Sequence, residues 1–194
     1  MTNSRRKGHT FERRVCADLR TWLGREWVVQ RNLDDDQTGA RGRAGDVLVS
    51  GGPHRWPFCI ECKTGYGLRA SHFWKGSATL EEMWAQTVGQ AAAVELEPLL
   101  VVKPDETAHP ALALMRPAVR RTMRPRGPGM ALRVNGQRVD AVLWGAILEV
   151  APIALLEVER WREARHAPPA RVVEEVGQDL ASWDWLMGGG DGTD

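Results

Sequence analysis

The hydrophobic residues at the start of the chain repeat with the spacing of a helix, and those that follow repeat with the spacing of strands. Across residues 9–23 the apolar positions recur every three or four residues, which predicts a helix that begins at a Thr10 cap and ends before Gly24. The run Trp27–Arg31 predicts a strand. Residues 32–45 are polar and glycine-rich, and a connection of this length is expected to be functional or mobile.

The next part of the chain predicts a hairpin, a helix and a buried strand. Residues 47–50 and 56–63 flank turn residues at positions 51–53, as the two strands of a hairpin do. Thr79 and Glu82 form a capping box for a helix that extends to about residue 96. Residues 98–103 form a continuous apolar run, typical of a central strand that is covered on both faces. The resulting αβββαβ order predicts an α/β fold with a mixed central sheet between helices.

The pattern weakens after residue 103. Residues 104–129 are rich in Pro and Arg and predict no element, whereas 130–134 and 139–150 predict strands around an Asn135-Gly136 turn. A helix is predicted from Pro152 to Ala164. We expect residues 1–103 to form the core, 104–165 an extension packed on it in the same domain, and 166–194 a partly disordered tail with one amphipathic piece at 172–186.

Composition restricts the class of protein without naming a partner. The 43% hydrophobic and 26% charged content is ordinary for a soluble globular protein, and the net charge of +1 does not suggest nucleic acid. Arginines greatly outnumber the four lysines, a bias that GC-rich coding explains as well as DNA binding does. We find no signal peptide and no apolar run that could span a bilayer, so we expect a cytoplasmic protein without membrane contact.

Three cysteines cannot form a complete disulfide framework, so we expect free thiols in a reducing compartment. Cys59 and Cys62 have the C-x-x-C spacing of some zinc and redox sites. Residues three apart on a strand face opposite sides, however, and no second pair of ligands follows. We therefore interpret both as small strand residues.

The chemistry is concentrated in the predicted hairpin. Glu61 and Lys63 are two apart on one strand and so share a face, and pairing with the preceding strand brings Asp46 to the same patch. Two carboxylates and one amine are costly to hold together unless a divalent cation and a phosphate bind there. Asp46 and Glu61 are hard oxygen ligands suited to Mg²⁺ or Mn²⁺, and the backbone carbonyl of Cys62 could add a third oxygen. Lys63 could orient an attacking water or neutralise charge in the transition state of phosphodiester hydrolysis.

Several residues around this patch have two open interpretations. Glu12 lies at the edge of the first helix's apolar stripe, either as a charge favoured by the helix dipole or as a further metal ligand. The residues with a predicted role in DNA binding are basic or amide side chains, each equally compatible with plain solvent exposure or loop packing: Arg5, Arg6, Lys7, Arg41, Arg43, Lys75, Gln86 and Gln90.

At this point the chain resembles a known family. The segments Lys7-Gly8-x-x-Phe11-Glu12-Arg13-x-Val15, Gly45-Asp46-Val47 and Phe58-x-Ile60-Glu61-Cys62-Lys63 are similar to motifs of the PD-(D/E)xK nuclease superfamily, and especially to archaeal-type and phage-encoded Holliday junction resolvase-like nucleases. Trp84-x-Gln86, Gln90-Ala91 and residues 98–101 extend the likeness, which covers residues 5–103. One departure is Gly45, which stands where the family motif has Pro.

The resemblance implies a restriction-endonuclease-like core and a metal-dependent DNA endonuclease of phage or prophage origin. It implies Asp46 and Glu61 as metal ligands, Lys63 as the catalytic lysine and Glu12 as the helix carboxylate. Relatives of this kind are homodimers, which implies a homodimer here, and four-way or otherwise branched DNA is one implied substrate. The alternative is a non-catalytic DNA-binding or assembly module with a nuclease-like core, and a further hypothesis is that residues 172–186 recruit a partner protein.

Overall fold

The computed structural model of the protein describes residues 4–33, 44–105 and 109–166. Within these ranges the chain forms six helices and seven strands. The elements are, in chain order, α1 (Ser4–Leu23), β1 (Trp27–Arg31), β2 (Val47–Gly51), β3 (Phe58–Thr64), α2 (Ser71–Lys75), α3 (Ala78–Ala93), β4 (Glu97–Lys103), β5 (Leu112–Met115), α4 (Pro117–Met123), β6 (Gly129–Val134), β7 (Gln137–Leu143), α5 (Trp144–Leu148) and α6 (Ala154–His166).

The seven strands form one mixed sheet in the order β1-β2-β3-β4-β5-β7-β6. Neighbouring strands are antiparallel except β3 and β4, which run parallel in the register Glu61 to Leu100 and Lys63 to Val102. A parallel pair needs a crossover connection, and α2 and α3 supply it. The predicted α/β class with a mixed, helix-flanked sheet is confirmed.

Two hydrophobic clusters cover the two faces of the sheet. On one face α1 packs against β1 and β3, where Phe11, Val15 and Leu19 meet Ile60 and other strand side chains. On the other face α3 packs against β3 and β4 around Leu80, Trp84 and Leu100. Strand β4 is therefore enclosed on both sides, as its continuous apolar run predicts.

Helix α1 begins earlier than its apolar pattern predicts. It starts at Ser4 rather than near residue 9, and Thr10 lies inside it, where its hydroxyl donates a hydrogen bond to the Arg6 carbonyl at 2.9 Å. Thr10 is therefore not a cap. Arg and Lys are good helix formers, so the basic first turns extend the helix beyond the part that packs against the sheet.

The start of α3 also differs from the prediction. The helix begins at Ala78 after an extended Ser77, and Thr79 lies within the first turn, so the predicted capping box at Thr79 is wrong. The helix ends at Ala93, close to the predicted end.

The part of the chain after residue 103 contains elements that the sequence pattern did not predict. Strand β5 and helix α4 occupy the Pro- and Arg-rich segment, and β5 pairs with β4 to continue the sheet. Strand β7 ends at Leu143, where α5 begins, instead of continuing to residue 150. Residues 167–194, including the amphipathic piece at 172–186, lie outside the described residues. Among the helices of the described ranges, none is both long and apolar enough to cross a membrane.

Candidate active site

Asp46 is held in place by the backbone of β3. It lies immediately before β2 and is 6% exposed. Its own N–H donates to the Ile60 carbonyl at 2.7 Å, and its carboxylate Oδ2 accepts the Cys62 N–H at 2.7 Å. A carboxylate that accepts a backbone N–H is fixed in direction, so Asp46 presents a defined geometry to anything that binds beside β3.

The turn before Asp46 requires glycine. Gly45 has a φ of +78°, and a Cβ added there would lie 2.4 Å from the Ile60 carbonyl oxygen. Proline fixes φ near about −65° and cannot adopt this turn, which explains why the chain departs from the family motif here. Buried Asn32 completes the turn: its side-chain Nδ2 donates to the Gly45 carbonyl at 2.9 Å, and its backbone N–H donates to the Asp46 carbonyl at 2.8 Å.

Glu61 and Lys63 project together from β3, as their spacing predicts. Glu61 is completely buried, and its Oε1 lies 2.5 Å from the Lys63 Nζ. The same Oε1 accepts a hydrogen bond at 3.0 Å from the Nε2 of Gln86 on α3. The other oxygen, Oε2, is buried and has no hydrogen-bond partner within the described structure. An unsatisfied carboxylate oxygen in the interior is costly, which indicates that a ligand belongs beside it.

The charges of the patch shift one another's ionisation. Burial, and next the nearby Asp46 charge, raise the pKa of Glu61 to about 7, although Lys63 opposes the shift. Burial acts to lower the pKa of Lys63, but the charge and hydrogen bond of Glu61 outweigh it, so the Lys63 pKa is raised above its usual value. Lys63 is therefore protonated at neutral pH, which suits a cation that stabilises negative charge rather than a base.

Glu12 lies beside this patch but is engaged elsewhere. It is in the third turn of α1, too far from the helix start for a charge favoured by the dipole, so that interpretation is wrong. Its Oε2 accepts from the Arg31 Nε at 2.7 Å and lies 2.5 Å from Arg31 Nη2. Its charge still contributes to the raised pKa of Glu61. The structure thus gathers Asp46, Glu61 and Lys63 closely and leaves Glu12 paired with Arg31 at the margin.

The residues with a predicted DNA-binding role lie in different places. Gln86 contacts Glu61, and the half-buried Gln90 has an Oε1 without a partner among the described residues. Arg6, Lys7 and Lys75 are exposed. The side chain of Arg5, and Arg41 and Arg43 as whole residues, lie outside the described residues.

The donor set fits a small, hard cation that retains water. No three His, Cys, Asp or Glu side chains gather into a metal-binding group in the described ranges. Mg²⁺ is commonly bound through only one or two carboxylates with waters completing the shell, and Asp46 and Glu61 supply two. The buried Oε2 of Glu61, which has no hydrogen-bond partner in the described ranges, is the atom that a cation would satisfy.

Cys59 and Cys62 do not form a second site. Cys59 packs with Ala44 and Ala91, and Cys62 packs in the cluster on the other face of the sheet. Burial raises the pKa of Cys59 to about 12 and that of Cys62 well above its usual value. Both thiols therefore remain protonated, and protonated thiols are poor metal ligands and poor nucleophiles.

Two residues that support the patch were missed by sequence reasoning. Asn32 fixes the turn before Asp46, and Arg31 holds Glu12. Arg31 is the last residue of β1 and Asn32 follows it. The role of Asn32 depends on β1 pairing with β2, whereas that of Arg31 depends on α1 packing against β1. No local pattern marks them, because the contacts cross from one strand to residues more than ten positions away in the sequence.

The sheet with its parallel β3–β4 pair, the flanking helices and the Asp46, Glu61 and Lys63 set define the PD-(D/E)xK class of nucleases. Residues 3–124 match the family described as "Phage putative PDDEXK endonuclease", and the chain belongs to this family. The fold is accordingly restriction-endonuclease-like. The match extends past residue 103, through β5 and α4. No curated protein and no solved structure matches the chain.

Proposed function

We propose that the protein is a divalent-metal-dependent endodeoxyribonuclease. It hydrolyses phosphodiester bonds of DNA in an active site formed by Asp46, Glu61 and Lys63. One observation carries the proposal. In a chain of a nuclease family, a fully buried Glu61 is near the Asp46 charge and ion-paired to Lys63, and one of its oxygens has no hydrogen-bond partner among the described residues. A structural carboxylate would be expected to have both oxygens satisfied.

The residues divide the work according to their contacts. Asp46, Glu61 and the Cys62 carbonyl would hold Mg²⁺ or Mn²⁺, which when bound polarises a phosphoryl oxygen and lowers the pKa of water. Lys63, protonated beside Glu61, stabilises the negative charge that develops on the phosphoryl oxygens. Gln86 orients Glu61 through its hydrogen bond, and Asn32 and Gly45 keep Asp46 in position. The water oxygen bonds to phosphorus and releases a proton to solvent as one P–O ester bond breaks, and the departing oxygen takes up a proton. This leaves a phosphate on one DNA end and a hydroxyl on the other.

The finer features of the function follow from the resemblance noted above. The proposed substrate is branched DNA such as a Holliday junction, and the proposed active form is a homodimer that makes two cuts. The proposed location is the cytoplasm of a bacterial or phage-infected cell. Glu12 is proposed as an accessory carboxylate, and residues 172–186 as a segment that recruits a protein partner.

Cleavage assays test the central proposal. The purified full chain is incubated with duplex, nicked, single-stranded and four-way DNA in Mg²⁺, in Mn²⁺ and in EDTA. We expect cleavage that requires the cation and is lost in Asp46→Asn and in Lys63→Ala. Glu82→Gln, which neutralises an exposed carboxylate of α3 outside the patch, is the matched control and should cut normally.

The same assay separates the alternatives. If no DNA is cut but binding persists without metal and is unchanged in Glu61→Gln, the protein is the non-catalytic DNA-binding module instead. If linear duplex is cut as fast as the four-way junction, the branched substrate is wrong and the nuclease activity stands.

A further inference from the structure

A cationic pocket lies at the carboxyl ends of β3 and β4, on the face of the sheet that α1 covers. The cavity measures about 420 Å³. Its polar lining comes from the first three turns of α1, from the last residues of the two parallel strands, and from the second residue after β4: Arg6, Lys7, Thr10, Arg14, Thr64, Lys103 and Asp105. We call these residues the cationic pocket.

The four basic side chains of the cationic pocket make no side-chain hydrogen bond or ion pair with any other residue that the structure describes. The one acidic member, Asp105, already accepts the Gly67 N–H through its Oδ2 at 2.7 Å. Like charges that converge on one concave space repel each other and raise the local concentration of anions. An anionic ligand would relieve this repulsion.

Composition does not account for this grouping. The chain has only four lysines, yet Lys7 and Lys103 both line the pocket and Lys63 lies next to it. Lys7 is on α1 and Lys103 is on β4, so tertiary structure brings them together. In an arginine-rich chain with few lysines, such clustering indicates a function for positive charge at this end of the sheet.

The cationic pocket and the candidate active site lie back to back at one strand end. Thr64 follows Lys63 directly on β3, and successive side chains of a strand point to opposite faces. Thr64 pairs in register with Lys103, and Lys63 with Val102. Lys63 of the candidate active site and Thr64 of the cationic pocket are therefore adjacent on β3, one residue step or about 3.3 Å apart along the strand. A polyanion bound at Lys63 could reach the pocket by passing over the edge where β3 and β4 end.

From this arrangement we infer that the cationic pocket binds a backbone phosphate of the DNA, close to the phosphodiester that is cut but not that phosphodiester itself. The inference rests on the proposed function and adds to it a path for the DNA across the carboxyl edge of β3 and β4. The phosphate is recognised by charge, so the pocket contributes affinity without base sequence preference.

DNA binding as a function of salt tests the inference. Affinity for a four-way junction and for duplex DNA is measured from 0.05 to 0.3 M NaCl, in a full-length Lys63→Ala background that cannot cut. Loss of the one phosphate contact should make the slope of log affinity against log salt shallower by about 0.9, which is roughly eightfold in affinity at 0.1 M. We expect Arg14→Gln and Lys103→Gln each to give part of this change, and the double variant to give up to the whole of it.

Arg25→Gln is the matched control, because Arg25 is exposed beyond the other end of α1. The slope of log affinity against log salt for Arg25→Gln should equal that of the parent within experimental error. Circular dichroism melting confirms that each variant is folded, and Lys103→Arg, which keeps the charge, should retain the parent slope. If the pocket variants behave like Arg25→Gln, the inference is overturned.

Two further measurements separate the sources of phosphate and the two proposals. Titration with inorganic phosphate and with a 5′-mononucleotide tests for a free anion. If the double variant loses that binding yet keeps the parent DNA slope, the pocket serves a small anion and the inference fails. If instead wild-type protein cuts no DNA while the slopes change as expected, the catalytic proposal fails and the binding site stands.

Discussion

Replacing Gly45 by alanine tests how Asp46 is held. Gly45 has a φ of +78°, and an added Cβ would lie 2.4 Å from the Ile60 carbonyl oxygen. Gly24 has the same φ of +78°, but a Cβ there would meet no atom within 4 Å. Both substitutions therefore incur the same backbone strain, and only Gly45→Ala adds a collision with a strand backbone.

The collision has a calculable consequence. Left-handed φ costs an alanine about 1–2 kcal/mol, which is the whole effect expected for Gly24→Ala. Carbon and carbonyl oxygen normally approach to about 3.3 Å, so the Ile60 carbonyl must retreat by about 0.9 Å. That movement breaks the 2.7 Å hydrogen bond from the Asp46 N–H to the same carbonyl and leaves a buried donor unpaired, at a further cost of about 1–3 kcal/mol. We expect Gly45→Ala to destabilise the protein by about 2–5 kcal/mol in total.

Urea unfolding of both variants measures the difference, and cleavage is assayed at a temperature where both are folded. Gly45→Ala should lose at least tenfold in kcat because the Asp46 carboxylate shifts, whereas Gly24→Ala should cut like the parent. Equal destabilisation by the two substitutions, together with normal cleavage by Gly45→Ala, would show that the β3 backbone does not position Asp46.

Three other outcomes follow from the buried carboxylates. Mg²⁺ or Mn²⁺ at a hundredfold excess over its Kd should stabilise the parent by about 2.7 kcal/mol in thermal melts, and an equal effect in Glu61→Gln would contradict its role as a ligand. Because the folded-state pKa of Glu61 is raised to about 7, the metal-free protein should lose about 3 kcal/mol of stability as pH rises from about 4.5 to 7. Urea unfolding should show this loss in the parent, and an equal loss in Glu61→Gln would exclude Glu61 as its source. Glu97 is fully buried, is bound by Arg116 at 3.1 Å and Arg165 at 2.6 Å, and so joins β4 to α6. Glu97→Gln should therefore lower the free energy of unfolding by about 2–3 kcal/mol without changing kcat, whereas Arg160→Ala, which breaks an exposed pair, should lower it by less than about 1 kcal/mol. Equal losses of stability in the two variants would show that burial adds nothing to the Glu97 pairs.

The sequence alone determined those features that depend on neighbouring residues in the chain. Strand β1 has the predicted bounds, and β4 coincides with the predicted apolar run. Both predictions succeeded because the order of apolar and polar residues in a strand depends directly on which of its faces are covered. Glu61 and Lys63 share a face for the same reason, since alternation along a strand is a local property. The class of nuclease also followed from the sequence, through the resemblance of short motifs around Asp46, Glu61 and Lys63 to those of a known family.

Only the tertiary structure decided the features that depend on partners far apart in the chain. Strand β5 was not predicted, because its four residues gain their place by pairing with β4 and β7 rather than from a local pattern. Asn32 became a support for Asp46 only when β1 and β2 paired, and the cationic pocket formed only when α1 met the ends of β3 and β4. A sequence pattern states which face a residue presents, but the group opposite that face is set by how the elements pack.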